Sequence, residues 1–215
     1  MIALLLSLAA AADPSALASD SGWRDLGSRA SALGAITVRS KQIEGTPCFE
    51  GTVRATAEVG DLVAVADRMR EAPRWSRARL PVTEELQRQG RSFVLLQLLD
   101  VPAWTLASDR YWVLRGETSI DAAGVGVYRY QRLDASAWPR AAQVVAERSP
   151  SAVEPPVSFG QWTFVPDAGG ARVTWRSCAD FGGVVPASLQ SWVALQQLPD
   201  TMEDLVNEAR RVGAR

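Results

Sequence analysis

Residues 187–211 read ASLQSWVALQQLPDTMEDLVNEARR, and this stretch decides the fold class of the chain. Its apolar side chains recur at steps of three and four residues, which is the spacing of one face of an α-helix. Those side chains are Leu189, Trp192, Leu195, Leu198, Met202, Leu205 and Ala209. Pro199 lies inside the pattern and predicts a kink near the middle of the helix. The stretch therefore predicts a long amphipathic helix whose apolar face must pack against another element.

The sequence before this helix has the character of consecutive β-strands. Ser92–Leu99 is apolar almost throughout, which favours a strand that is buried on both faces or lines a cavity. Residues 111–120 and 127–133 predict two further strands. Residues 157–165 and 171–181 flank the turn-forming sequence PDAGG and predict a hairpin. Together these segments predict about five antiparallel strands that lead into the helix.

The amino-terminal half mixes short elements. Residues 18–32 predict a short helix, because apolar residues fall on one helical face. Residues 36–41 and 49–59 alternate between apolar and polar side chains and predict two strands. Residues 61–70 predict a second helix, which the following proline ends. Residues 82–89 predict a short, irregular helical stretch.

The order of these elements predicts an α+β fold. A curved antiparallel sheet has one apolar face that must be covered, and the long helix at the carboxyl end is available to cover it. A sheet wrapped around a helix leaves room for an internal apolar cavity. No internal repeat or long linker divides the chain, so the pattern predicts one domain over residues 18–212.

Composition and charge exclude several classes of function. The formal net charge is −1, with acidic and basic residues interspersed, which disfavours nucleic-acid binding. The chain has no histidine, the commonest general base and neutral metal ligand. Its two cysteines, Cys48 and Cys178, cannot form a CxxC-type metal site. We therefore expect no metal and no cofactor.

The first residues have the pattern of an export signal. Residues 1–12 read MIALLLSLAAAA, an apolar run that ends in small residues, and predict a secretory signal peptide. The run has no basic residue before Ile2, and a buried amino-terminal helix is the alternative. Export predicts a periplasmic or secreted protein, in which a disulfide between Cys48 and Cys178 is permissible. Two separate buried thiols are the simpler expectation, because the sequence does not place the two Cα atoms at bridging distance.

Several local phrases occur in an order that matches a known family. They are IEG and FEG at residues 43–45 and 49–51, residues 61–70 followed by Trp75, SDRYWVLR at residues 108–115, Trp162 and Trp175 in the late strands, and DFGGVVP at residues 180–186. In this order and spacing the sequence resembles the StAR-related lipid transfer (START) domains of the helix-grip, Bet v 1-like superfamily, over residues 23–211.

The resemblance is incomplete at two points. The family commonly has Arg-Asp-aromatic-Val and then a second Arg in one strand; Arg110 and Arg115 match the two arginines, but the Asp is absent. The family's Asp-Pro before the last helix is Asp180–Phe181 here, whereas Pro186 at the start of the helix is kept. Order and spacing, rather than any single phrase, carry the likeness.

The resemblance implies a protein that binds a lipid or sterol in an internal cavity, as a carrier or a sensor, and that is not an enzyme. It implies transient contact with a membrane, and we expect a monomer. Two alternatives stay open. One is a cyclase- or aromatase-like enzyme that uses the same cavity, for which Asp100, Arg115, Tyr128 and Tyr130 are available polar groups. The other is a ligand-free protein-interaction module whose own side chains fill the cavity.

The resemblance also implies which residues contact the ligand. It places Arg115 at the cavity, where Asp100 or Glu117 is the expected partner of its charge, although strand alternation equally allows Arg115 to face solvent. Large aromatic rings suit an apolar cavity wall, and core packing is the alternative for each ring. The expected ligand-binding residues are Arg115, Asp100, Trp112, Trp162, Trp175, Leu189, Trp192 and Leu195, with Trp192 as the best lining candidate on the last helix. No residue is expected to be catalytic.

Overall fold

A nine-stranded antiparallel sheet forms the framework of the protein. The computed structural model describes residues 14–102, 107–180, 182 and 187–214. The strands are β1 (Arg24–Ser31), β2 (Gly34–Ile43), β3 (Thr46–Ala55), β4 (Val82–Gln89), β5 (Ser92–Leu99), β6 (Arg110–Ile120), β7 (Gly126–Leu133), β8 (Val157–Asp167) and β9 (Gly170–Asp180). The α-helices are α1 (Val59–Ala66), α2 (Pro139–Arg148) and α3 (Ala187–Gly213), and short 3₁₀ turns lie at Pro14–Leu17, Met69–Arg74 and Ala135–Ala137.

The strand order is β1-β2-β3-β9-β8-β7-β6-β5-β4, and the neighbouring strands run antiparallel. The pairing of β3 with β9 joins strands that are distant in sequence. It brings the beginning of the sheet against the strand that leads into α3. The predicted α+β fold, an antiparallel sheet with a long carboxyl-terminal helix, is confirmed.

One face of the sheet, which we call the inner face, carries the main core. Helices α1 and α3 cover this face and bury Phe164 and Val173 of the sheet beneath them. The second half of α3 contributes Leu198, Met202, Leu205, Val206 and Ala209 to the same core. Gly51 of β3 permits the close approach of α3, since a Cβ atom there would lie 2.5 Å from Cδ2 of Leu198.

The opposite, outer face is covered in two places. Helix α2 packs Val144 against Leu96 of β5 and Val113 of β6. Near the amino terminus, the 3₁₀ turn Pro14–Leu17 packs on β3, β8 and β9, and Leu17 is only 1% exposed there. The outer face therefore has its own two small apolar clusters, separate from the main core.

Cys48 of β3 and Cys178 of β9 form a disulfide between directly opposed residues, with Cα atoms 4.1 Å apart. The expectation of two separate thiols is therefore wrong. The sequence did not reveal the pairing, because it requires two strands that lie 130 residues apart in the chain to be neighbours. Both cysteines are fully buried in the outer-face cluster that contains Leu17.

Two segments that were expected to be helical are strands. Residues 18–32 contain β1, and Gly27 (φ 83°) lies at an irregularity in its pairing with β2. Residues 82–89 form β4, which pairs along its length with the apolar strand β5. In both segments the hydrogen bonds of the sheet override a local preference for helix. Helix α2 was not predicted, although Pro139 occupies its first turn, where proline is favoured.

Helix α3 confirms the long helix predicted at the carboxyl end, with Pro199 inside it, and the kink there stays a prediction. Arg77, in the loop after α1, holds the helix to the rest of the protein. Its guanidinium lies 2.7 Å from both Asp204 and Glu203, and Glu203 also accepts a hydrogen bond from the backbone N–H of Ala32. None of the helices in the described ranges combines the length and the apolar character of a membrane span.

Candidate functional site

The contacts of α3 divide the inner face into two halves. From Leu198 onward the helix packs directly on the sheet, with Leu198 and Met202 over Gly51. Earlier in the helix, Leu195 is only partly buried and Trp192 is 51% exposed. Few residues connect β9 to α3, so the first turn of the helix lies within about 25 Å of the end of β9. The tightly packed half of α3 thus ends near Gly51, which leaves the part of the inner face beyond Gly51, toward the end of β9.

We call this part of the sheet the open half. Its side chains point inward by strand alternation, and most of them nevertheless keep accessible surface. The partly exposed members are Tyr130 and Arg132 of β7, Ser158 of β8, and Trp175, Ser177 and Ala179 of β9; Trp112 and Leu114 of β6 and Gly160 of β8 are buried. Inward-facing side chains with accessible surface indicate space on the inner face that the described side chains do not fill.

Stacked aromatic rings form one wall of the open half at its border with the main core, to which Trp162 and Tyr128 belong. Trp162 and Trp175 lie opposite each other on β8 and β9, with ring centroids 4.9 Å apart and planes 8° from parallel. Tyr128 and Tyr130 of β7 continue the wall, with centroids 5.7 Å apart. Such pairs stabilise each other beyond the burial of their area and give a rigid, flat apolar surface. The structure thus brings together Trp162 and Trp175, two of the expected ligand-binding residues.

A glycine allows the tyrosine ring to cross a neighbouring strand. The ring of Tyr130 lies over Gly160 of β8, where a Cβ atom would collide with it. Having crossed β8, the Tyr130 hydroxyl donates a hydrogen bond to Oγ of Ser177 on β9, at 2.9 Å. The open half therefore contains a pair of hydroxyl groups within its aromatic wall.

Burial controls the protonation of these tyrosines. Burial raises the pKa of Tyr130, and its hydrogen bond to Ser177 only partly offsets this effect. Burial also raises the pKa of Tyr128, with a smaller contribution from Tyr130 beside it. Both phenols are therefore protonated and neutral at physiological pH, so Tyr130 acts as a hydrogen-bond donor.

Two indole N–H groups on the inner face, those of Trp112 and Trp175, are buried and have no hydrogen-bond partner among the described residues. The Trp175 N–H is near enough to the Tyr130 oxygen to lower its pKa slightly, but it does not meet hydrogen-bond geometry. The two groups are therefore not hydrogen-bonded, because a hydrogen bond requires alignment as well as proximity. Buried N–H groups without a hydrogen-bond partner are uncommon in folded proteins, and both of these groups belong to residues of the open half.

Arg115 lies on the outer face of the sheet. Its neighbours across the strands are Val94 and Gln131, and Val94 belongs to the outer cluster under α2. Its side chain is exposed and borders a shallow groove of about 400 Å³ together with Glu117 and Trp138. The expected position of Arg115 in the internal cavity is therefore wrong. Strand register decides which face a residue occupies, and a shift of one residue reverses it.

Of the other expected residues, Trp112 lies in the open half, whereas Asp100 does not. Asp100 pairs with Arg79, at 2.6 Å, and not with Arg115. Trp192, the expected lining residue on the last helix, is half exposed, whereas Leu195 packs against the main core. The side chain of Leu189 lies outside the described residues. Arg132 is an inward-facing charge in the open half, and it forms an ion pair with Glu154 at 2.7 Å.

Ser177, Gly160 and Arg132 were not predicted as site residues. The period-two alternation in β7 could have placed Tyr128, Tyr130 and Arg132 on one face. Ser177 and Gly160 carry no such signal, because their importance depends on the register of β7, β8 and β9. Among the described residues, no group of three Cys, Asp or Glu side chains is arranged to hold a metal ion.

Comparison with known proteins places the fold. The sequence matches no family model, and no curated protein shows significant similarity to it. The StAR-related lipid transfer protein (fragment 25–204) from Xanthomonas axonopodis is 24% identical, with a TM-score of 0.67 over 88% of this chain and 99% of that chain. Human StAR-related lipid transfer protein 5 is 11% identical, with a TM-score of 0.75 over 93% of this chain and 91% of that chain. The Zhui aromatase/cyclase from Streptomyces sp. R1128 is 14% identical, with a TM-score of 0.54 over 77% and 94% of the two chains.

These likenesses cover most of each chain. At such low sequence identity they establish the fold and not the ligand. The resemblance read from the sequence is thus confirmed at the level of the fold. The chain has the helix-grip fold of the StAR-related lipid transfer domains.

Proposed function

We propose that the protein binds a lipid or sterol between the open half of the inner face and the first half of α3. The observation that carries the proposal is the set of inward-facing side chains in the open half that keep accessible surface. Aromatic and small side chains predominate there, which suits an apolar ligand. Each methylene group that such a ligand buries contributes about 0.8 kcal/mol.

The role that fits this site is that of a carrier or a sensor. Two of the solved structures with this fold are named lipid transfer proteins, which supports the same role for this chain. Binding would be driven by apolar burial, with few polar groups to orient the ligand. The ligand would therefore be released in the same chemical form in which it was bound.

Turnover of the ligand is the alternative, because an aromatase/cyclase shares the fold. Two features support binding over catalysis. The chain has no histidine to serve as a general base. Ser177 is hydrogen-bonded to Tyr130, and a neutral phenol is a poor base for activating a serine. A ligand recovered in a chemically altered form would favour the enzyme.

A substitution that fills the open half tests the site. Ala179 of β9 faces inward, and Ala179→Trp would place a large ring in the space assigned to the ligand. We expect this variant to lose binding of the apolar dye Nile red, measured by fluorescence. Arg172→Trp is the matched control, since Arg172 is exposed on the outer face of the same strand. Equal binding by both variants would contradict the proposed site.

We propose that the protein works in the periplasm or outside the cell. The disulfide Cys48–Cys178 supports this location, because disulfides persist in oxidising compartments. The apolar residues 1–12 supply a candidate export signal. Fractionation of the native cells and sequencing of the mature amino terminus test it. Cytoplasmic protein that retains Met1 and has reduced cysteines would contradict the proposal.

We also propose that the protein contacts membranes transiently, as a monomer, through the first half of α3. Trp192 is 51% exposed on that part of the helix, and tryptophan favours the membrane–water interface. Trp192→Ser should weaken sedimentation with phospholipid vesicles. Ile120→Ser is the control, because Ile120 is also an exposed large apolar residue, at the end of β6. An equal loss in both variants would argue against α3 as the contact.

A further inference from the structure

The hydroxyl groups of Tyr130 and Ser177 form a polar point within the aromatic wall of the open half. Tyr130 reaches Ser177 by crossing β8 above Gly160, and the two oxygen atoms lie 2.9 Å apart. Both side chains point inward and keep accessible surface. A side chain larger than that of Gly160 would block the crossing. The pair therefore depends on three strands in one register.

The pair has unused hydrogen-bonding capacity. Tyr130 donates its proton to Ser177, and the Tyr130 oxygen keeps lone pairs that can accept. Ser177 accepts that bond, and its own proton is used by no hydrogen bond among the described residues. One donor and one acceptor thus lie side by side. This arrangement suits a hydroxyl group, which both donates and accepts, or a carbonyl oxygen.

The charges around the pair do not favour an anion. Burial keeps the Tyr130 phenol neutral by raising its pKa. Arg132, the nearest inward-facing charge on β7, is already paired with Glu154 at 2.7 Å. Arg110, at the start of β6, donates to the carbonyl oxygens of Ser108 and Gly182. An anionic group would have to compete for these cations, whereas a neutral polar group would not.

We propose that Ser177 and Tyr130 form the polar subsite of the ligand site and select lipids with a neutral terminal hydroxyl or carbonyl group over anionic lipids. This inference rests on the proposed function. It assigns specificity to two residues that hold the end of the ligand, while the aromatic wall binds its apolar body. Apolar burial provides affinity, and the hydroxyl pair provides orientation.

Three probes of equal chain length differ at one end only, so a comparison of them tests how that end contributes to binding. The full chain is loaded with Nile red, and 1-hexadecanol, hexadecane and palmitate are compared as displacing ligands at neutral pH. We expect hexadecanol to bind most tightly. Ser177→Ala and Tyr130→Phe should each weaken hexadecanol roughly three- to tenfold, the worth of one neutral hydrogen bond, and leave hexadecane unchanged. Thr174→Val, which removes a hydroxyl from the outer face of the same strand, should behave as wild type.

The outcomes separate this inference from the function on which it rests. Binding of all three probes with equal affinity, unaffected by Ser177→Ala and Tyr130→Phe, would overturn the subsite and leave the proposed function intact. Tightest binding of palmitate, abolished by Arg132→Gln, would also overturn it and would assign the polar end to a cation. Failure of Nile red and of every probe to bind would overturn the proposed function, and the subsite with it.

Discussion

At the scale of single residues, the tyrosines report most directly on the interior of the protein. The chain has three tyrosines, and burial is the largest cause that raises the pKa of each of them. Tyr128 and Tyr130 belong to the inner face, and Tyr111 packs against the outer cluster under α2. Their ionisation therefore measures burial on both sides of the sheet.

We predict that the phenolate absorbance of the native protein rises at a higher pH than that of the unfolded protein, whose tyrosines titrate at the ordinary pKa of about 10. The folded state keeps protons that the unfolded state loses, because the folded pKa values are higher. The contribution of the tyrosines to the free energy of unfolding is therefore fully present below the ordinary tyrosine pKa. It is lost as the pH rises through the higher pKa values of the folded state. Spectrophotometric titration of native and guanidinium-unfolded protein checks this. A native titration curve that coincides with the unfolded one would contradict the raised pKa values of the three tyrosines.

Residue-scale prediction from sequence succeeds only where it does not depend on exact register. Trp162 and Trp175 were expected in the wall because aromatic residues suit it; both lie on the inner face, and their contact with a ligand stays a prediction. Arg115 was expected inside and lies outside, because a single-residue difference in register exchanges the two faces. The position of Ser177 beside Tyr130 could be recognised only from the register of β7, β8 and β9 in the structure.

At the scale of elements, the anchoring of α3 depends on one arginine. Arg77 pairs with Asp204 and Glu203, both of which are less than one-eighth exposed, while Arg77 itself is 48% exposed. Its backbone N–H also donates to Asp204, at 2.6 Å. Loss of the guanidinium would leave two nearly buried carboxylates with fewer partners.

We predict that Arg77→Met lowers the free energy of unfolding by about 2 kcal/mol, a value reduced from that of a fully buried pair because solvent reaches the guanidinium. Arg79→Met is the control and should cost less than about 1 kcal/mol, since Arg79 and Asp100 form an exposed pair. Denaturant unfolding of the two variants measures both. An equal loss would mean that the Arg77 cluster does not anchor the helix.

The 3₁₀ turn Pro14–Leu17 covers the disulfide on the outer face. Leu17 shares a buried cluster with Cys48 and Cys178. The backbone carbonyl of Leu17 accepts a hydrogen bond from Arg176, at 2.6 Å, and that of Ala16 accepts one from Lys41, at 2.8 Å. These bonds hold the turn over the disulfide and exclude solvent from the sulfur atoms.

We predict that Leu17→Asp makes the disulfide reducible by dithiothreitol under native conditions, whereas the wild-type disulfide resists. Ala18→Asp is the matched control, because the neighbouring Ala18 is exposed. Thiol labelling after timed exposure to the reductant measures the difference. Removal of the disulfide by Cys48→Ala with Cys178→Ala should cost roughly 5 kcal/mol at most, from the entropy of the loop that it closes. Equal reduction rates in Leu17→Asp and Ala18→Asp would contradict a covering role for the turn.

The elements that were wrongly predicted share one position in the fold. β1 and β4 are the two edge strands of the sheet, and both were expected to be helical. An edge strand pairs on one side only; β1 is mostly exposed and β4 is mostly polar, so both lack the apolar alternation that identifies a strand. Strands β5 to β9 contain longer apolar runs or alternation and were predicted within one or two residues.

At the scale of the whole molecule, the fold followed from two strong periodic signals. The long apolar stripe of α3 and the run of strands before it predict a sheet that grips a helix, and the structure has that arrangement. The side chains that line the interior could not be predicted in the same way. They depend on which residues share a row across several strands, and that information is absent from the periodicity of any one of them.

In the proposed function, the protein encloses one apolar molecule. Native mass spectrometry of the purified protein, followed by organic extraction and identification of the lipid, tests this claim most directly. We predict one equivalent of a lipid or sterol on the wild-type protein and on Arg172→Trp, and none on Ala179→Trp. A wild-type protein that carries no ligand and takes up no lipid or sterol when these are offered would contradict the proposed function.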